Sequence, residues 1–579
     1  RGGVSAADLA AGLGAFGLGA LVLVRLGVRL DHAVWGLLAA GVLPFVPSLA
    51  RAVRPPTLRP WSVGRSVALL HAPLVILAAL IPQVAWDDYS HWLPNALFLV
   101  EWRSFPGPDL PPPRSQHGTY PPGTALVTFG ATLIGRTLFG LEGIAETAAP
   151  VLAVTLYGCL AATVADAVRS VVASHWAGAA IALLGVVWIN PAFVPRIVFT
   201  NYGDAPTAAL LGLAVVVALR GLEDRDGRAI APAGLILAAI TNVKQTGLVV
   251  AALACGGVLV VLLADRSPGR LGRVLRTLPA LLPPAVVWLL WREHASAASG
   301  GFSIRPLASW SWNLAPQTLA SMGRVALSKI AFTALLVAAA AMGVRALRRG
   351  EASPLGRASV VLSVVAVGWA VVLFLAYMGT SFHEGEIIRA ASFWRYMTQL
   401  GGLGGVVLTL SFVGLCRAID LPGRWRRLSP SGLGRAATAA PAVLVAVLPV
   451  LAIGHLWPRA SEPAPPLRRA AAELAPRVAG TGPVMVVDPR GNGMTHVVLD
   501  FAWRGTVPTV WGGTAHRVET IGAEALVGRA AATGARFVMI LSTDAEVERA
   551  FGTPPLGPRS WRLLEAGSGD WRRIAEGTW

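Results

Sequence analysis

Lysine is almost absent from this chain. Only Lys244 and Lys329 stand among 49 basic residues, so arginine is the default cation. Charge of any kind is scarce, at 14% of 579 residues against 54% hydrophobic. Cysteine occurs three times, as Cys159, Cys255 and Cys416, each inside an apolar run. That scatter excludes a disulfide framework and zinc-ligand spacing, and leaves small buried side chains as the reading. There is no internal repeat and no nucleotide fingerprint; Gly491-Asn492-Gly493 reads only as a turn.

What is present is hydrophobic length. Apolar runs fall near 6–28, 33–50, 63–85, 145–168, 176–195, 204–219, 229–243, 247–264, 278–292, 325–344, 358–378, 399–416 and 436–456. A spanning helix needs about 20 apolar residues, so these predict a polytopic α-helical membrane protein with about thirteen spans. The first run lacks a clear cleavage site and reads as a retained helix. The net charge of +18 invites a nucleic-acid partner, but the arginines are not one patch. They sit in the short gaps between apolar runs, as topology signals do.

Arg51, Arg54, Arg59 and Arg65 follow the second run, and Arg220, Arg225 and Arg228 the sixth. Arg266, Arg270, Arg273 and Arg276 follow the eighth, and Arg345, Arg348, Arg349 and Arg357 the tenth. Arg417, Arg424, Arg426, Arg427 and Arg435 follow the twelfth. All fall on one side, which the positive-inside rule makes cytoplasmic. The N-terminus is then inside; Arg25 and Arg29 run against the pattern. Residues 123–140 are apolar enough to span, but a span there would invert the rest. They read as an interfacial or re-entrant helix. The arginine richness and the Ala, Gly and Pro content suggest a GC-rich bacterial source, hence an inner membrane.

This topology makes 1–457 a transmembrane module and 86–144 its first large outer loop. Beyond the Pro-rich stretch Pro458–Pro466, Val484–Val487 and Phe537–Leu541 read as buried strands between Ala-rich helices. Residues 458–579 therefore form a small extracytoplasmic α/β domain.

The outer side collects the polar groups. Trp86-Asp87-Asp88-Tyr89-Ser90-His91 puts two carboxylates at a membrane edge, where they are costly unless they pair, bind a cation or do chemistry. A helix N-cap explains one aspartate but not obviously two. The functional reading is a general base at Asp87, with a neighbour that holds a cation or orients an acceptor. Pro94 argues against a continuous helix, so a shared face for Asp87 and His91 is not assured. Lys244 and Gln245 sit in the turn Thr241–Gly247. Lys244 is either a snorkelling lysine or, among Asn, Gln and Thr donors, a phosphate site. His383, Glu384, Glu386 and Arg389 precede Arg395-Tyr396. They are an exposed loop before an aromatic belt, or, for Arg389 and Arg395, a clamp on a phosphate diester. The His383 group has no diagnostic metal spacing. Tyr120-Pro121-Pro122 shapes entry into the interfacial helix, and Asp204 stands where a cap for the next span is expected.

In order and on one side, Asp87-Asp88, Tyr120-Pro121-Pro122, Asp204, Lys244 and Arg395-Tyr396 resemble the GT-C membrane glycosyltransferases. The pattern resembles that of the protein O-mannosyltransferase and aminoarabinose transferase type. The resemblance spans roughly 60–420. It implies a GT-C fold and a polyprenyl-phosphate-linked sugar donor. It also implies a glycan, lipid or protein acceptor, membrane lipid as the surroundings, and no nucleic acid. Asp87 would activate the acceptor; Asp88 would assist or bind a divalent metal ion. Lys244, Arg389 and Arg395 would hold the departing lipid phosphate, with His91, Tyr120, Asp204, Gln245, His383, Glu384 and Tyr396 lining the substrates. The family's pair is usually Asp-Glu, whereas this chain has Asp-Asp.

Overall fold

The computed structural model describes residues 5–42, 62–172, 174–223, 230–265, 269–297, 304–351, 353–420, 432–456, 463–489, 491–503, 506–514, 522–541, 544–557, 559–567 and 570–578. Arg51, Arg54, Arg59, Arg225, Arg228, Arg266, Arg424, Arg426 and Arg427 lie outside them. So do residues 43–50 of the second expected span and 458–462 of the Pro-rich stretch.

Helices form where the apolar runs are. Among the described residues, nine are long and apolar enough to cross a membrane. Five shorter apolar helices add to them, including Leu30–Val42, Ile230–Val243 and Gly123–Phe139, the helix expected at the interface. Hydroxyl side chains start several of them. Ser5, Ser62, Ser174 and Ser353 each accept a first-turn N–H, and Ser5 with Asp8 makes a full capping box.

Apolar helices in lipid gain no hydrophobic advantage from touching one another, so close backbone approach matters. At Gly402 an added Cβ would come within 2.0 Å of the Ala208 carbonyl oxygen. Only glycine lets helix Gly401–Ala418 lie this close to helix Asp204–Glu223. Gly123 does the same elsewhere: its Cβ would fall 2.5 Å from the Asn242 carbonyl oxygen. The helix opened by Tyr120-Pro121-Pro122 thus starts directly against the Lys244 turn.

The chain divides into two compact units. The first is Arg1–Ile81 with Asn95–Leu456, and holds the apolar helices. The second is Pro82–Pro94 with Trp457–Trp579. The acidic pair therefore belongs to the same unit as the C-terminal residues.

The second unit has a five-stranded sheet: β1 Val484–Asp488, β2 Thr509–Thr514, β3 Phe537–Leu541, β4 Ser560–Ala566 and β5 Trp571–Thr578. Its order is β2-β1-β3-β4-β5, parallel across the first three and antiparallel beyond. The two strands read from the sequence are β1 and β3. Both are buried at every residue, as central strands covered on both faces are. Helix Ala464–Val478 packs on helix Met494–Trp503, where the buried Trp503 indole donates to the Ala471 carbonyl at 2.9 Å.

Candidate functional site

In the first unit, three side chains from two distant parts of the sequence meet around one carboxylate. Asp204 opens its helix, and its carboxylate is held by side chains from elsewhere in the chain. Its Oδ1 accepts from Lys244 Nζ at 2.9 Å and from Gln399 Nε2 at 2.5 Å. Arg395 Nε lies 3.7 Å from Oδ2. Asp204, Lys244 and Gln399 are buried, while the Arg395 side chain is 22% exposed.

Two tyrosines close the group. Lys244 Nζ sits 4.7 Å from the centre of the Tyr396 ring. The Arg395 guanidinium lies 5.0 Å from the Tyr202 ring and 5.4 Å from Tyr396. Aromatic faces stabilise cations without neutralising them. Asp204 is the carboxylate that these two cations share. A partly open arginine beside it suits a bound anion.

Lys244 reaches this place by local geometry. Helix Ile230–Val243 ends one residue before it, and Gly247 N–H bonds back to its carbonyl at 2.8 Å before helix Gly247–Ala264 begins. The lysine is held inward on Asp204 and does not snorkel. Gln245 goes another way. It is exposed, and its Nε2 donates to Thr119 Oγ1 at 2.8 Å. Tyr120, next to Thr119, is buried and stacked on His117 at 4.8 Å. The Lys244 turn and the Tyr120 segment are thereby joined.

His383, Glu384 and Arg389 are exposed. His383 N–H donates to the Glu386 carboxylate at 3.1 Å, a capping contact for the short helix Glu384–Ile388. Arg389 Nε donates to the Gly385 carbonyl at 2.9 Å. This is the exposed-loop arrangement. Between Arg389 and Arg395, Ala390 and Ser392 take positive φ of 47° and 63°, uncommon for residues with a Cβ.

In the second unit, helical turns begin at Trp86. Asp88 is fully buried, and its Oδ2 accepts the Ala85 N–H at 3.2 Å. That is half of a capping box, the third helical residue reaching back to the residue before the helix. The cap expected of one aspartate is thus made by Asp88. Asp87 is different: its side chain is 15% exposed, and its Oδ2 lies 3.9 Å from His91 Nε2. The other imidazole nitrogen of His91 is 2.8 Å from Ser90 Oγ.

Asp87 and His91 therefore do share a face, despite Pro94. The reason is a π-helical turn over Asp88–Trp92, in which Leu93 N–H bonds to the Asp88 carbonyl. The wide turn relieves the strain that proline places on the preceding residues. Tyr89 anchors the turn. Its hydroxyl donates to the Gln83 carbonyl at 2.8 Å, and its ring meets Phe501 edge-on at 5.3 Å. Arg468 lies over Phe501 and 3.5 Å from the Tyr89 hydroxyl.

A divalent ion fits poorly. Among the described residues no three His, Cys, Asp or Glu side chains gather to hold a metal. Asp88, the residue expected to bind one, has an oxygen committed to its own turn. His383, Glu384 and Glu386 form no such group either.

Sequence reading missed Gln399 and Tyr202. Gln399 carried a signal: it lies four residues after Arg395, the spacing of helical neighbours. Tyr202 is two residues before Asp204 and had none.

No family model matches this chain, and no curated protein matches its sequence. Among solved structures it is similar to the Archaeoglobus fulgidus oligosaccharyltransferase, in a crystal structure with Zn and sulfate. The TM-score is 0.42 at 12% identity, covering 85% of this chain and 68% of that one. A likeness of this extent says nothing of substrate or reaction.

Proposed function

We propose that this chain is an inverting glycosyltransferase of GT-C type, moving a sugar from a polyprenyl-phosphate donor on the outer side of a bacterial inner membrane. The observation that carries the reading is the convergence on Asp204. Lys244 and Arg395-Tyr396, separate motifs in the sequence, gather there around one buried carboxylate.

In the proposed reaction Asp87 takes the proton of an acceptor hydroxyl or amine. The freed lone pair attacks the anomeric carbon, and the bond from that carbon to the phosphate oxygen breaks. Polyprenyl phosphate leaves with the bonding electrons. Lys244 and Arg395 stabilise the charge that appears on it, worth most where water is excluded. Asp204 holds both cations in place. No step runs through a metal.

A transporter of the same lipid would move the donor intact. Reconstituted protein given a doubly labelled donor distinguishes the two. The proposal predicts one polyprenyl phosphate released per sugar transferred, with inverted anomeric configuration. Translocation of unbroken donor without release would contradict it.

The Tyr89 anchor gives a second prediction. Phe501→Ala should lower kcat by roughly tenfold, since small misplacements of a reacting group are costly. KM should stay near the wild-type value, and Phe501→Tyr should restore the rate. Unchanged kcat in Phe501→Ala would remove Phe501 as a positioning residue.

A further inference from the structure

Helices Asp204–Glu223, Ile230–Val243 and Gly247–Ala264 carry the Asp204 cluster at one end. Toward their other end is a cavity of about 250 Å³. Ala218, Leu237, Cys255, Leu259, Leu278 and Leu281 line it, and the one hydroxyl among its lining residues is that of Thr277. Ala214, the lining residue nearest to Asp204 on that helix, lies roughly 15 Å along the axis from it. The cavity is therefore separate from the proposed phosphate site.

Thr277 closes a short helix, Arg270–Thr277, of sequence Arg-Leu-Gly-Arg-Val-Leu-Arg-Thr. Its arginines recur every third residue. Leu271 and Leu275, four residues apart, share one face of it, and Leu278 and Leu282 follow in the 3-10 turn Leu278–Leu281 and at the start of helix Leu282–Ala297. All four leucines are exposed. An apolar stripe opposed by arginines is the pattern of a helix lying in a membrane interface. Arg273 Nη2 holds Asp265 at 3.1 Å, tying this helix to the end of Gly247–Ala264. The stripe leads through Leu278 to the cavity wall.

We infer that this end of the molecule binds an anionic phospholipid, with the headgroup against Arg273 and Arg276 and one acyl chain in the cavity. The charge of the helix selects the headgroup, and the apolar lining accepts the chain. Basic pockets between membrane helices bind anionic lipids in this way. The inference does not depend on the transfer reaction.

Native mass spectrometry of the full chain, titrated with phosphatidylglycerol or phosphatidylcholine, tests it. Two variants serve, Gly256→Leu and Arg276→Gln. Gly256 lines the cavity, and a Cβ added there meets nothing within 4 Å, so leucine fills the space without a clash at its first carbon. Phosphatidylglycerol adducts on the wild type should outnumber phosphatidylcholine adducts severalfold. Arg276→Gln should reduce them roughly fivefold, the share of one interfacial arginine. Gly256→Leu should reduce them at least as much. Equal adducts of the two lipids on the wild type would overturn the inference. So would full phosphatidylglycerol occupancy in either variant, or its displacement by equimolar polyprenyl phosphate.

Discussion

Asp204→Ala is expected to cost the helical unit about 3–5 kcal/mol, the usual penalty for removing one partner of a buried ion pair. The substitution strips the Lys244 ammonium of its carboxylate, and the lysine side chain is only 3% exposed. It also removes the acceptor for Gln399 Nε2 and the counter-charge near Arg395. Folded proteins hold only about 5–15 kcal/mol in reserve, so the loss is a large share. The double variant Asp204→Leu with Lys244→Met should recover part of it, because the buried ammonium goes with its carboxylate while Gln399 and Arg395 still lose theirs. Denaturant titration in detergent measures both. A single variant as stable as the wild type, or a double variant no better than the single, would show that the pair does not organise this region.

Asp87→Asn should slow transfer by about a thousandfold, within the range for loss of a general base. Its stability should stay near that of the wild type, since Asp87 supplies no cap to its helix. Asp88→Ala should behave in the opposite way. Asp88 accepts the Ala85 N–H and is fully buried, so losing that acceptor should cost about 1 kcal/mol of stability, the usual value of a cap replaced by alanine. Any loss of rate there should be smaller than for Asp87→Asn. Rates and melting curves on the same preparations read the contrast. An Asp88→Ala variant slower than Asp87→Asn would exchange the two roles.

The apolar runs were legible because lipid demands long unbroken hydrophobic segments, whatever they pack against. The rarity of lysine marked Lys244 correctly as unusual, but not what it touches. Its partner lies 40 residues away on another helix, and charge content alone does not pair residues across such a distance. The acidic pair shows the same boundary from another side. Two adjacent aspartates read alike in sequence; Asp88 is fully buried and accepts the Ala85 N–H, while Asp87 stays partly exposed beside His91. His383, Glu384 and Arg389 stand exposed, with local bonds from the His383 backbone N–H and the Arg389 Nε that no spacing in the sequence announced. Nor was there a sequence signal that residues 82–94 share a compact unit with the C-terminal sheet, since that grouping rests on a tyrosine and a phenylalanine over 400 residues apart.

The most direct measurement is initial-rate transfer of a labelled sugar from a polyprenyl-phosphate donor by purified, reconstituted protein, wild type beside Asp87→Asn. The account predicts transfer with release of polyprenyl phosphate by the wild type, and about a thousandfold less by the variant at unchanged stability. Equal transfer by both proteins would contradict Asp87 as the base. No release by the wild type with any such donor, under conditions where the donor binds, would contradict the reaction itself.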